Sequence, residues 1–146
     1  MDDLWPDDIA INLSLRTPFA ILRKQASALS EKTKNVVEGL VVIDSQASKP
    51  KGPIYYDFNI RAPMMNYTYQ LFYISHPIEL YPLRLCIEDE EVLSTWKGDP
   101  DNTTLQIETE DEFMQILRSV FASKRTRKIV SALIAQSMEI RGSDDL

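Results

Sequence analysis

The nine residues IYYDFNIRA (54–62) alternate in character along their length. In an extended chain they place Ile54, Tyr56, Phe58 and Ile60 on one face and Tyr55, Asp57, Asn59 and Arg61 on the other. A second run rich in aromatic and aliphatic residues, NYTYQLFYIS (66–75), begins three residues later. The intervening PMM (63–65) is long enough only for a turn, so the two strands must be antiparallel; a parallel pair needs a crossover of about a dozen residues. This constraint limits the chain to folds organised around an antiparallel sheet.

The flanking segments extend the sheet. NVVEGLVVIDS (35–45) is β-branched and apolar on both parities after Gly39, the pattern of a strand buried on both faces. The loop QASKPKGP (46–53) separates it from the alternating strand. YPLRLCIED (81–89) supplies a fourth strand with Leu83, Leu85 and Ile87 inward, and TLQIE (104–108) a fifth with Leu105 and Ile107 inward. Between those two, TWKGDPDNTT (95–104) has the composition of an exposed turn. Near the N-terminus AINLSL (10–15) alternates and is expected to form a short edge strand.

Helix signals lie outside the strand run. In RTPFAILRKQASALSEKT (16–33), Thr17 can accept from an orphan backbone N–H and Pro18 fits the first helical position. Phe19, Leu22, Ala26 and Leu29 then mark a narrow apolar stripe. Thr109 followed by Glu112 predicts a capping box, and Phe113, Ile116, Leu117, Val120 and Phe121 an apolar helical face. A last helix at about 125–139 carries Ile129, Val130, Leu133 and Ile134. Residues 1–8 and 140–146 read as flexible ends. The expected fold is α+β: one domain over 1–146, with a single antiparallel meander of four to five strands. An N-terminal helix and two C-terminal helices pack on one face, leaving the other partly open.

Cysteine usage and charge narrow the function. Cys86 is the only cysteine, which excludes an intramolecular disulfide and suits a reducing compartment. MDDLWPDDI has neither the basic nor the apolar region of a signal peptide, and no apolar run approaches a membrane span, so the expected location is cytoplasmic. A net charge of −6 weakens any default attraction to nucleic acid or anionic membrane. Four glycines cannot be assembled into a phosphate-cradling loop or dinucleotide fingerprint, and neither G-x-S-x-G nor H-E-x-x-H occurs. The sequence offers no cofactor site and no catalytic motif, and a non-enzymatic role is expected.

Three groups of residues remain as candidates. Tyr67, Tyr69 and Tyr73 share a parity and would form a row on one strand face, with His76 at the strand's end as the chain's only histidine. Such a row is ordinary packing in a half-exposed strand and, alternatively, an aromatic platform for a partner or a pocket lining. His76 has no second histidine to share a metal with, and packing or turn-capping explains it more simply than catalysis. The acidic run EDEE, with Asp89, Glu90 and Glu91, would keep a loop wet or meet a basic partner.

Lys124, Arg125, Arg127 and Lys128 form the opposite cluster. The first two suit a helix C-terminus, whereas Arg127 and Lys128 fall where a helix dipole disfavours cations, which suggests a contact to phosphate or an acidic partner. The leading expectation is a small acidic protein-binding module, such as an immunity or antitoxin-like protein or an accessory subunit of a larger bacterial assembly. Its partner would be a protein with a basic surface. The alternatives are a nucleic-acid-associated accessory protein using 124–128 and a ligand binder or enzyme with a pocket near Tyr69, Tyr73 and His76.

Overall fold

A computed structural model describes residues 2–10 and 15–144. The edge strand expected at 10–15 falls on residues 11–14 and so lies outside the described residues. The elements are α1 (Pro18–Lys32), β1 (Glu38–Ile43), β2 (Ile54–Ala62), a 3-10 turn (Pro63–Met65), β3 (Tyr67–His76), β4 (Leu83–Cys86), α2 (Glu90–Thr95), β5 (Thr104–Ile107), α3 (Glu110–Ala122) and α4 (Lys124–Asp144). The five strands form one antiparallel sheet in the order β1-β2-β3-β4-β5. The class is α+β, with α1 at the N-terminal end and α3 and α4 at the C-terminal end.

Local chemistry sets most of these boundaries. Thr17 Oγ1 accepts from the Ala20 N–H at 3.1 Å and starts α1, while Thr109 accepts from the Glu112 N–H at 3.2 Å and starts α3. The β2–β3 hairpin closes through Asn66 in the left-handed region, a conformation asparagine tolerates better than most residues. The core comprises Phe58 and Ile60 of β2, Phe72 and Ile74 of β3, Leu83 and Leu85 of β4, and Leu105 and Ile107 of β5. Phe113, Ile116, Leu117 and Val120 of α3 close over it. Burying each such side chain stabilises the fold by about 1.5–3 kcal/mol before entropy is counted.

Three expectations need correction. The first strand is not buried on both faces: β1 is an edge strand, and Leu40, Val42 and Ile43 are 36%, 44% and 54% exposed. A continuous apolar run cannot distinguish a central strand from an edge strand that offers apolar surface. The second is the acidic loop at 88–91. It is the cap and first turn of α2, with Asp89 Oδ1 accepting from the Val92 N–H at 3.2 Å.

The third is the tyrosine row. A register shift between Phe58 and Asn59 pairs Phe58 with Phe72 but Asn59 with Gln70, leaving Leu71 as an extra residue. Tyr67 and Tyr69, opposite Ala62 and Ile60, therefore share the helix-side face, while Tyr73, opposite Asp57, faces the other way. Beyond these points, α4 runs on to Asp144, through residues read as a fraying tail.

Candidate functional site

The open face of the sheet is a solvated hydrogen-bonded surface. Arg61 donates to Thr68 Oγ1 at 3.3 Å and to Asn66 Oδ1 at 3.1 Å, and Gln70 donates to Asp57 Oδ1 at 3.3 Å. Tyr73 lies here, tilted against Tyr55 at 6.3 Å, and its hydroxyl pKa is pushed up to about 12 by hydrogen bonding to Cys86 and by burial. Asp57, by burial and by the nearby Asp44 carboxylate, is held above its ordinary carboxyl range.

On the helix side, the acidic and basic clusters meet. Glu91 Oε1 accepts from the Lys124 backbone N–H at 3.3 Å, so a side chain of α2 caps the start of α4. Arg125 donates to the Tyr69 hydroxyl at 2.9 Å, and this bond, with the charges of Glu88 and Asp89, holds its guanidinium above its ordinary pKa. The carboxylates offset the unfavourable placement of basic residues at a helix N-terminus. Asp89 is only 4% exposed, with Oδ2 unpartnered, so it faces the interior; Glu90 and Glu91 are exposed. Tyr69, Tyr73, Cys86, Glu88, Thr103 and Arg125 surround a polar notch of about 380 Å³, beside the stretch of β3 that β4 leaves unpaired.

His76 is elsewhere. It is 4% exposed, at the end of a stack in which Phe19 lies 5.1 Å from Tyr56 and Tyr56 lies 5.7 Å from the imidazole. Its Nδ1 is 2.7 Å from the Pro77 carbonyl oxygen, the geometry of an Nδ1–H donor, and its Nε2 has no partner among the described residues. It does not line the notch. Among the described residues no group of three or more His, Cys, Asp or Glu side chains is placed to hold a metal ion.

Sequence reasoning missed two features. The first is the edge of β1. The Asp44 N–H donates to the Tyr55 carbonyl at 3.0 Å, so in antiparallel alternation Val42, Leu40 and Glu38 also direct their backbone groups to β2. Gly39, Val41 and Ile43 direct theirs outward. Ser30 Oγ of α1 accepts from the Gly39 N–H at 3.1 Å, whereas Val41 and Ile43 have no such cover among the described residues.

α1 reaches Gly39 because that residue has no Cβ: one built there would stand 2.5 Å from the Ala26 Cα. The second missed feature is an apolar groove of about 480 Å³ between α1 and α4, floored by Phe58, Ile60 and Leu71. The exposed apolar edge residues were legible as GLVVI, but the groove depends on helix spacing.

No helix among the described residues is long and apolar enough to cross a membrane. Comparison with known protein families, with curated proteins and with solved structures finds no match to this chain.

Proposed function

We propose that the protein is a small acidic, non-catalytic protein-binding module that captures an extended segment of its partner as an added strand on β1. The observation that carries this reading is the outward N–H and C=O groups of Val41 and Ile43, flanked by the exposed Leu40 and Val42. Edge strands are ordinarily blunted by lysine, proline or a bulge, and GLVVI contains none of these. The partner's chemistry follows from the neighbours. Asp57, opposite Val42, has its carboxyl pKa raised by burial and by Asp44, so a lysine or arginine beside Val42 would relieve an existing repulsion. The captured segment is thus apolar at alternate positions and basic near Asp57, in keeping with a partner of basic surface.

The other candidate surfaces are less available. Arg125 is committed to Tyr69, Glu91 to the α4 cap, and Asp89 to the α2 cap. Glu88, Asp89 and Glu91 stand beside the start of the basic run, which weakens the nucleic-acid reading.

The test compares wild type with Val41→Pro, which removes an outward N–H that β2 does not use, and Val42→Ser, which keeps the backbone. Partners captured from the native host by the wild type are purified and titrated against each variant. The proline is expected to weaken binding about tenfold or more, because strand addition is held mainly by main-chain hydrogen bonds. On partner addition the Val41 and Ile43 amides should exchange more slowly with solvent. A partner bound equally by wild type and a folded Val41→Pro protein would overturn the reading.

A further inference from the structure

The groove between α1 and α4 arises from how the helices are tethered. α1 is drawn toward the sheet's edge by the contact of Ala26 with Gly39, whereas α4 follows α3 after a single residue, Ser123. α1 and α4 are thus held apart over the middle of the sheet. Phe58, Ile60 and Leu71 are left as the floor between them, with Leu29 on one wall and Val130 on the other. The bulge contributes directly, since the extra Leu71 joins Phe72 on the helix side. The result, about 480 Å³, lies within the range of about 300–1,000 Å³ typical of small-molecule sites.

The charge at the groove's mouth selects among ligands. Of the residues lining it, only Lys32 and Arg127 are charged, and both are cations in a chain of net charge −6. Neither makes an ion pair among the described residues, where the one salt bridge joins Arg16 to Glu110 at 2.7 Å. Lys32 sits in the last turn of α1, where a helix dipole welcomes it, but Arg127 lies in the first turn of α4, where the dipole opposes it. An anion between the two would compensate that placement. We infer that this groove binds a single-chain amphiphile with an anionic head, carboxylate or monophosphate. Its tail lies over Phe58, Ile60 and Leu71 and its head meets Lys32 and Arg127. The site is independent of strand addition at β1.

Isothermal titration of the full chain, below the micelle threshold, tests this with four ligands of one tail length: dodecanoate, dodecyl phosphate, dodecanol and dodecyltrimethylammonium. At least one anion should bind saturably at one per chain. Dodecanol should bind more weakly and the cation weakest. Each of Lys32→Gln and Arg127→Gln, at exposed positions, should weaken the anion about two- to fivefold, the range of a solvent-screened charge contact. Ser131→Trp, which places an indole in the groove from an exposed position on α4, should abolish binding without loss of thermal stability.

The relative affinity of the two anions identifies the preferred head group. The inference is overturned if neither anion saturates, which would leave the groove to a partner's helix. It is also overturned if all head groups bind alike, or if a folded Ser131→Trp protein binds as wild type does. Because Val41 does not line the groove, amphiphile binding by a folded Val41→Pro protein separates the two sites.

Discussion

Two stretches of unpaired strand edge, one along β3 and one along β1, are treated differently. Along β3, residues 67–72 have no β4 partner, but Arg125 reaches across to Tyr69, and Glu88 and Thr103 close the notch. Along β1, Ser30 covers Gly39, and from there to Ile43 the edge presents only aliphatic side chains and free backbone groups. Side chains stand beside the bare edge of β3, whereas the outward backbone groups of β1 are left to solvent or to a partner. The contrast teaches that edge exposure here follows side-chain reach: Arg125 of α4 extends to Tyr69 of β3, whereas Ser30 of α1 meets only the Gly39 N–H of β1.

The sharpest way to break this contrast is at Gly39. Gly39→Leu drives a side chain into the Ala26 backbone, so α1 must lift from β1, and overpacking of this kind costs about 1–3 kcal/mol or more. Urea unfolding measures the loss, and the Gly39 amide should lose its protection from exchange. A proline pair sharpens the assignment of the edge. Measured against alanine at the same position, Val42→Pro deletes a ladder bond to β2 and should cost about 1–3 kcal/mol, whereas Val41→Pro should cost well under that because its N–H is outward, the packing of Val41 on the core being lost in both of its variants. Equal costs for the two would reverse the register argument.

Smaller effects probe the notch and the α2 cap. Asp89→Ala removes the cap of α2 and should cost about 0.5–2 kcal/mol in thermal or urea unfolding. Tyr69→Phe, which deletes only the hydroxyl, should cost no more than about 1 kcal/mol, and combining it with Arg125→Ala should be less than additive.

The smallest expected effect is electrostatic. Asp57 has a folded pKa above its ordinary 3.8, so between those values the folded state holds its proton more tightly than the unfolded chain. Stability therefore falls as pH rises through that window and stays lower above it. Asp57→Asn should raise the midpoint slightly near neutral pH, with the gain vanishing below the unfolded value. A midpoint lowered at neutral pH would show that the bond from Gln70 outweighs the repulsion.

Much of the fold was legible in the chain, and the parts that were not share a cause. Thr17–Pro18 and Thr109 announced two helix starts because a cap involves neighbours only three residues apart. The alternation in 54–62 and the short turn after it determined antiparallel pairing, because side-chain parity and loop length are local properties. The bulge at Leu71 was invisible, since an extra residue is defined only against the strand opposite. It reversed the faces of Tyr67 and Tyr69 relative to Tyr73 and so dissolved the expected row.

The sequence alone determined the composition of each surface: an acidic chain, one cysteine, one histidine, and a basic run that suits a helix start poorly. Tertiary structure decided what those residues face. It turned Asp89 inward, set Glu91 on the α4 cap, placed Arg127 with Lys32 at an apolar mouth, and left β1 at the rim. Charge and hydrophobicity are properties of a residue, whereas exposure and pairing belong to the distance between segments far apart in the chain, which only packing fixes.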